Sequence, residues 1–296
     1  MYQRHFGLRE RPFSLTPDTA FFFSHQGTQA ALNTLLVALR SGEGFVKIVA
    51  EVGCGKTLLC RRLLAALAVD CETAYIPNPA LDSRAMLLAV CEELAIEIDA
   101  NESAHRIAKE LKRCLLGHAR AERRVVLIID EAQCIPDETV EALRLMSNIE
   151  TEKRKLLQIV LFGQPELDIK LAQPHLRQLL QRISFADRIE PLRIDEVGNY
   201  VDHRLRVAGA IDVHIFTDDA IEELSHCSGG TPRLINVVAH KAMMLAYGEG
   251  ARHVDARHVI LAAKDTAAVP GVSAVSKTGS WLKRLLSVGS RRADLP

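Results

Sequence analysis

Residues 50–57 of this 296-residue chain read Ala-Glu-Val-Gly-Cys-Gly-Lys-Thr. Two glycines, one residue apart, run straight into a lysine and a threonine, and that spacing suits the holding of a phosphate chain. Gly53 and Gly55 let the backbone turn so that its N–H groups point inward at phosphate oxygens. A helix opening near Lys56 adds the positive end of its dipole. Lys56 is then the residue that reaches the outer phosphates, and Thr57 offers its hydroxyl to Mg²⁺. Nucleotide contacts are expected from Val52, Gly53, Cys54, Gly55, Lys56, Thr57 and Leu58, and the cofactors implied are ATP and Mg²⁺. The strict motif begins with glycine; Ala50 stands there instead, small enough to permit the turn. The plainer reading, a glycine-rich turn with an exposed lysine, is disfavoured because the strand before and the helix after that the motif requires are both present in the sequence pattern.

Five aliphatic residues, 125–129, end at Asp130-Glu131. A carboxylate at the tip of a buried strand beside such a loop is where Mg²⁺ needs a partner, so Asp130 is assigned to the metal, through its water. Glu131 is placed to polarise an attacking water. An acidic helix entry after a strand is the bland alternative. A fourth apolar run, residues 156–162, stops at Gly163-Gln164-Pro165; Gln164 either positions water at the last phosphate or is a turn residue flanked by Gly and Pro. Two arginines suit the spread charge of phosphoryl transfer: Arg182, with Arg177 as its competitor, and Arg233, which follows Gly229-Gly230-Thr231-Pro232.

Several elements must hold these residues. Residues 45–50 form a buried strand and 56–68 the helix after the loop. Strands are expected at 73–76, 125–129, 156–162 and 183–189, with helices at 29–40, 83–94, 104–120 and 136–149 between them. That alternation predicts an α/β fold, a parallel sheet with helices on both faces. After Pro191 the pattern becomes helical throughout: 195–208, 218–226, 232–247 and 255–263. The expected organisation is a core over 1–190 that includes an aromatic N-terminal segment, a small all-helical domain over 191–266, and a linker with a basic tail over 267–296. Five of the nine Phe lie in the first 23 residues. They make either a small satellite core or a wall for the adenine ring.

Lys plus Arg (37) equals Asp plus Glu (37), so net charge argues for neither nucleic acid nor an anionic membrane. Seven cysteines, an odd number with no C-x-x-C, exclude a zinc ribbon and a disulfide framework. The charged N-terminus lacks the apolar core of a signal peptide, and no apolar run reaches the roughly 20 residues of a membrane span. The expected location is cytoplasmic. In the tail, Trp281, Leu282, Leu285 and Leu286 fall at helical spacing among basic residues; a weak peripheral contact with the inner membrane and a solvated tail are both open.

Taken in order, Gly-Lys-Thr, Asp-Glu, the Gln tip, Gln181-Arg182 and Gly229-Gly230-Thr231-Pro232-Arg233 resemble the AAA+ ATPases. The opening His5-Phe6-Gly7-Leu8 and Pro12-Phe13-Ser14-Leu15-Thr16-Pro17 is similar to the ExeA/GspA-like branch, and the resemblance covers about residues 1–265. Residues 42–45 and 75–79 resemble its pilus-biogenesis members. The resemblance implies an AAA+ P-loop NTPase core with a helical lid. It makes Asp130 and Glu131 the Walker B pair, Gln164 sensor 1, Arg182 the region of an arginine finger acting on a neighbouring subunit, and Arg233 sensor 2. It further implies a homo-oligomer, ATP hydrolysis, and partners among the assembly proteins of an MSHA-type (type IV) pilus or a secretion machine at the inner membrane. No nucleic acid is expected, although transposition ATPases resembling this branch make a DNA-binding regulator the alternative. The branch's membrane span and wall-binding domain have no counterpart in this sequence, so direct cell-wall contact is not expected.

Overall fold

A computed structural model describes residues 2–150, 154–267 and 269. In chain order its main elements are α1 (Tyr2–His5), α2 (Gln26–Arg40), β1 (Phe45–Ala50), α3 (Lys56–Leu67), β2 (Cys71–Ile76), α4 (Ser83–Glu93), α5 (Ala104–Arg120), β3 (Arg124–Ile129), α6 (Asp137–Met146), β4 (Leu157–Gly163), α7 (Glu166–Leu171), α8 (Arg177–Leu180), β5 (Ile183–Ile189), α9 (Ile194–Val207), α10 (Asp218–Ser228), α11 (Pro232–Glu249) and α12 (Ala256–Lys264). The chain divides into two compact units, Ser24–Glu190 and Met1–Phe23 with Pro191–Pro296.

The first unit is built on one sheet with strand order β2-β3-β4-β1-β5, every pair parallel. The inner strands are buried on both faces, which is why their sequences are almost wholly apolar, interrupted at Lys47 in β1 and Gln158 in β4. Val46, Ile48, Val126, Ile128, Val160 and Phe162 pack with Leu35, Leu39, Leu59 and Leu63 of α2 and α3. Their neighbours along each strand, Leu127, Ile129, Ile159 and Leu161, pack instead with Met86, Ile107, Leu111, Val140 and Leu143 of α4, α5 and α6. Period-two alternation thus sends successive side chains into two separate cores. Each buried Leu or Ile contributes roughly 1.5–3 kcal/mol.

The expected elements are present, most of their ends within three residues of the positions read from sequence. β2 starts at Cys71, ahead of the residues with strand-like side chains, because Cys71 and Glu72 pair with Arg124 and Val125 of β3. Backbone pairing there overrides local propensity. Gln158, buried in β4, donates from Nε2 to the carbonyls of Leu39 (3.0 Å) and Glu43 (2.8 Å), tying the segment before β1 to the sheet.

The second unit differs from the expected organisation. Residues 1–23 pack with the helices after Pro191, not with the sheet-bearing unit. Tyr2, Phe6, Leu8, Phe13 and Phe21 are buried with Val201, Leu205, Leu224, Ile235 and Met243. The Phe13 and Phe216 rings meet edge to face at 5.8 Å. The reason is surface-to-volume: four short helices cannot close a core by themselves, and large rings supply the missing apolar area. Arg204 of α9, only 4% exposed, secures the segment. Its guanidinium donates to the carbonyls of Pro12 and Ser14 and to the Tyr200 hydroxyl, and lies 4.7 Å from the Phe21 ring centroid. Phe6, Phe13 and Phe21 are therefore core residues and not a ring-binding wall. The expected helix around Trp281 falls outside the described residues.

Candidate functional site

β4 lies between β1 and β3, with Val49 level with Gly163 and Ile129 level with Leu161. Three strand tips therefore stand side by side: β1 runs into the glycine loop, β3 into Asp130-Glu131, and β4 into Gln164. Parallel α/β sheets bind ligands outside the carboxyl ends of their strands, and these are such ends.

The loop turns through two left-handed glycines, Gly53 (φ 87°) and Gly55 (φ 91°). Gly55 is the N-cap of α3 and brings no side chain to it. The first N–H groups of the helix are thus left without a side-chain cap, and together with the dipole they form an anion-binding end. Lys56 is 5% exposed. Its Nζ donates to the carbonyls of Ala50 (2.7 Å) and Glu51 (3.2 Å), so it folds back across the loop. Burial pulls its pKa below the ordinary lysine value, opposed by the charges of Glu131 and Asp130. Val52 is exposed, while Cys54 is buried and its thiol is pushed by desolvation up to about 11.

Thr57 Oγ1 lies 3.3 Å from Asp130 Oδ2 and donates to it. Two cis ligands of an octahedral Mg²⁺ at 2.0–2.1 Å stand about 2.9 Å apart, so this hydroxyl–carboxylate pair fits the ion or its waters. Among the described residues no cluster of three or more His, Cys, Asp and Glu could hold a metal; an ion at Thr57 and Asp130 would take its remaining ligands from phosphate and water. Asp130 is buried, and desolvation raises its pKa against the Glu131 N–H (2.9 Å to Oδ1) and the Thr57 hydroxyl.

Glu131 sits in the left-handed region, φ 49°, and opens a one-turn 3₁₀ segment, Ala132–Cys134. A non-glycine residue there carries strain and commonly marks a functional site. Its Oε2 accepts from Gln164 Nε2 at 2.7 Å and from Gln133 Nε2 at 2.5 Å. Burial alone would raise its pKa, but those two amide donors and the Lys56 charge outweigh it and hold the carboxylate below the usual value. Lys56, Thr57, Asp130, Glu131 and Gln164 are thus brought together at the three strand tips.

Gln133 was not singled out in the sequence. It follows the acid pair by two residues, and the only available signal was an amide in a turn full of shorter side chains. Its Oε1 accepts the Gln164 backbone N–H at 3.1 Å, and Lys170 donates to its carbonyl at 3.4 Å.

Within the sheet-bearing unit, Arg182 bonds outside this cluster. Arg182 donates to Ser147 Oγ (3.1 Å) and to the Asn148 side chain, at the end of α6, and Arg177 is exposed at the start of α8. Arg233 is exposed in the first turn of α11, in the other unit. The turn before it is tightly built. Leu192 N–H donates to the Gly230 carbonyl at 2.9 Å, and Gly230 has φ 71°.

The AAA domain family matches residues 39–171, which include the loop, the Asp130-Glu131 tip and Gln164. Over 286 residues the chain is 39% identical to general secretion pathway protein A of Aeromonas hydrophila; the match takes in 97% of this chain and 51% of that protein, so the chain spans about half the length of this relative. Among solved structures, the ORC2 protein of Aeropyrum pernix, determined as ADPNP–ADP complexes, superposes with a TM-score of 0.66 at 19% identity, over 88% of this chain and 72% of that one. Cdc6p of Pyrobaculum aerophilum gives 0.64 at 16%, over 82% and 67%. The Holliday junction branch migration motor RuvB of Thermotoga maritima gives 0.54 at 18%, over 85% and 71%. At such identities the likeness is one of fold: the P-loop AAA+ fold, a five-stranded parallel sheet followed by a helical region. Among the described residues no helix is long and apolar enough to cross a membrane.

Proposed function

We propose that this chain is a Mg²⁺-dependent AAA+ ATPase that works as an oligomer and powers assembly of a secretion or type IV pilus machine, the MSHA type in particular. The observation that carries the reading is the convergence of Lys56, the Thr57–Asp130 pair and the Glu131–Gln164 pair on the three strand tips. The N–H groups of the loop and Lys56 receive the β- and γ-phosphates. Thr57 and Asp130 would hold Mg²⁺, which when bound would supply charge neutralisation at the phosphate oxygens. Glu131 takes the proton of a water as its oxygen bonds to the γ-phosphorus; the bond to the β-phosphate oxygen breaks, and ADP leaves. Gln164 orients that water or the terminal phosphate. Arg182 acts on the nucleotide of a neighbouring subunit, and Arg233 acts as sensor 2.

The secretion role is supported by the Aeromonas hydrophila relative, and the pilus role by residues 42–45 and 75–79. A cytoplasmic protein peripheral to the inner membrane is the matching location. Two variants test the enzymatic reading. Lys56→Ala should remove most affinity for a fluorescent ATP analogue, since its side chain meets phosphate, and unchanged affinity refutes the loop assignment. Glu131→Gln should bind ATP and release almost no phosphate, by a factor of roughly 10²–10⁴. Salt-sensitive retardation of DNA, with no capture of secretion or pilus proteins from cells, would favour a nucleotide-dependent DNA regulator instead.

A further inference from the structure

We infer that Gln133 is a positioning residue of the hydrolytic site: one carboxamide sets the orientation of Glu131 and of Gln164 together. The inference rests on the reading of Glu131 as the base. Its ground is a closed ring of three hydrogen bonds. Gln133 Nε2 donates to Glu131 Oε2 at 2.5 Å, Gln164 Nε2 donates to the same oxygen at 2.7 Å, and the Gln164 backbone N–H donates to Gln133 Oε1 at 3.1 Å.

The local backbone explains how a residue two positions on reaches back. Glu131 turns through φ 49°, Cys134 N–H donates to the Glu131 carbonyl at 2.8 Å, and the tight 3₁₀ turn between them folds the Gln133 side chain over the carboxylate. The far side of Gln133 is also fixed, because Lys170 of α7 bonds to its carbonyl and to that of Ile135. The ring therefore joins the β3 tip, the β4 tip and the helix after β4.

The pattern has a chemical consequence. Both amide donors fall on Oε2, and among the described residues none falls on Oε1. A carboxylate held by one oxygen keeps a fixed rotamer and leaves the other oxygen's lone pairs for a proton. The same carboxamide fixes the backbone that carries Gln164, so the base and the polar group beside it move as one body. A misplacement of about 1 Å costs up to about a hundredfold in rate. A residue that only stabilised the turn would not separate turnover from binding.

The test uses the full chain, with steady-state ATP hydrolysis, nucleotide titration and thermal melting. Gln133→Ala removes both side-chain bonds, and kcat should fall roughly ten- to a hundredfold while KM and nucleotide affinity stay within about twofold. Gln133→Glu keeps the acceptor for the Gln164 N–H but sets a carboxylate against Glu131; kcat should fall at least as far. On a Glu131→Gln background, Gln133→Ala should change nothing further, because it acts through Glu131. Turnover of Gln133→Ala within twofold of wild type overturns the inference. So does a loss of kcat matched by equal losses in affinity and melting temperature, or an additive loss in the double variant. If Glu131→Gln itself turns over normally, the base reading fails and this inference with it. If Glu131→Gln is inactive while Gln133→Ala is normal, Gln133 alone is refuted.

Discussion

Replacing Gly230 by alanine should unfold the helical unit at far milder conditions than replacing Gly229, its neighbour in sequence. Both glycines lie in the left-handed region, φ 55° at Gly229 and 71° at Gly230, so each substitution carries about 1–2 kcal/mol of backbone strain. The surroundings differ. A Cβ on Gly229 meets nothing within 4 Å, whereas one on Gly230 would lie 1.9 Å from the Leu192 carbonyl oxygen. That atom is backbone and cannot rotate away. Ordinary contact needs well over 3 Å, so the two segments must separate by more than 1 Å. The 2.9 Å bond from Leu192 N–H to the Gly230 carbonyl then breaks, leaving a buried donor without a partner at about 1–3 kcal/mol. Repacking adds about 1–3 kcal/mol. The sum for Gly230→Ala is about 3–8 kcal/mol against about 1–2 kcal/mol for Gly229→Ala. Urea unfolding followed by helical circular dichroism reads this out. With m near 1–3 kcal/mol/M, the midpoint of Gly230→Ala should fall by about 1 M or more below that of Gly229→Ala. Hydrogen exchange should place the loss in residues 191–264. Equal midpoints for the two variants would refute the steric argument.

Three further outcomes are expected. If Arg182 acts on a neighbour's nucleotide, mixing Arg182→Ala with Lys56→Ala protein should restore part of the ATPase activity; no recovery at any ratio, with mixed oligomers demonstrated, would remove the shared site. Asp168→Asn should destabilise the sheet-bearing unit by about 1–3 kcal/mol in chemical unfolding, because Lys47 of β1, 11% exposed, pairs with that carboxylate, which also accepts from Arg188 at 3.0 Å. Lys47→Met with Asp168→Leu should recover most of that loss, and failure to do so would mean the pair is not the cause. The Cys54 thiol is raised to about 11 by burial; a raised thiol pKa means protonation at neutral pH, so at pH 8 only about one molecule in a thousand is thiolate. Iodoacetamide should therefore modify exposed Cys134 first, and mass spectrometry finding Cys54 labelled as fast would contradict its burial.

The loop at residues 50–57 and the acid pair Asp130-Glu131 were legible in the sequence because their chemistry is local. A left-handed turn calls for glycine at fixed offsets, a helix must follow at once, and a strand buried on both faces is written as an aliphatic run. The same locality made β1, β3, β4 and β5 readable almost to the residue. What the sequence left open depended on residues far apart in the chain. Gln164 meets Glu131 because β4 inserts between β1 and β3, an arrangement that strand pairing decides and that no side chain announces. Gln133 is an ordinary amide until the 3₁₀ turn folds it onto the carboxylate. The first 23 residues read as part of the sheet-bearing core by adjacency, yet their rings fill the helical unit, where the buried Arg204 guanidinium donates to the Pro12 and Ser14 carbonyls. Apolar area and buried charge are settled against whatever surface packing supplies, and that surface exists only once the chain has folded.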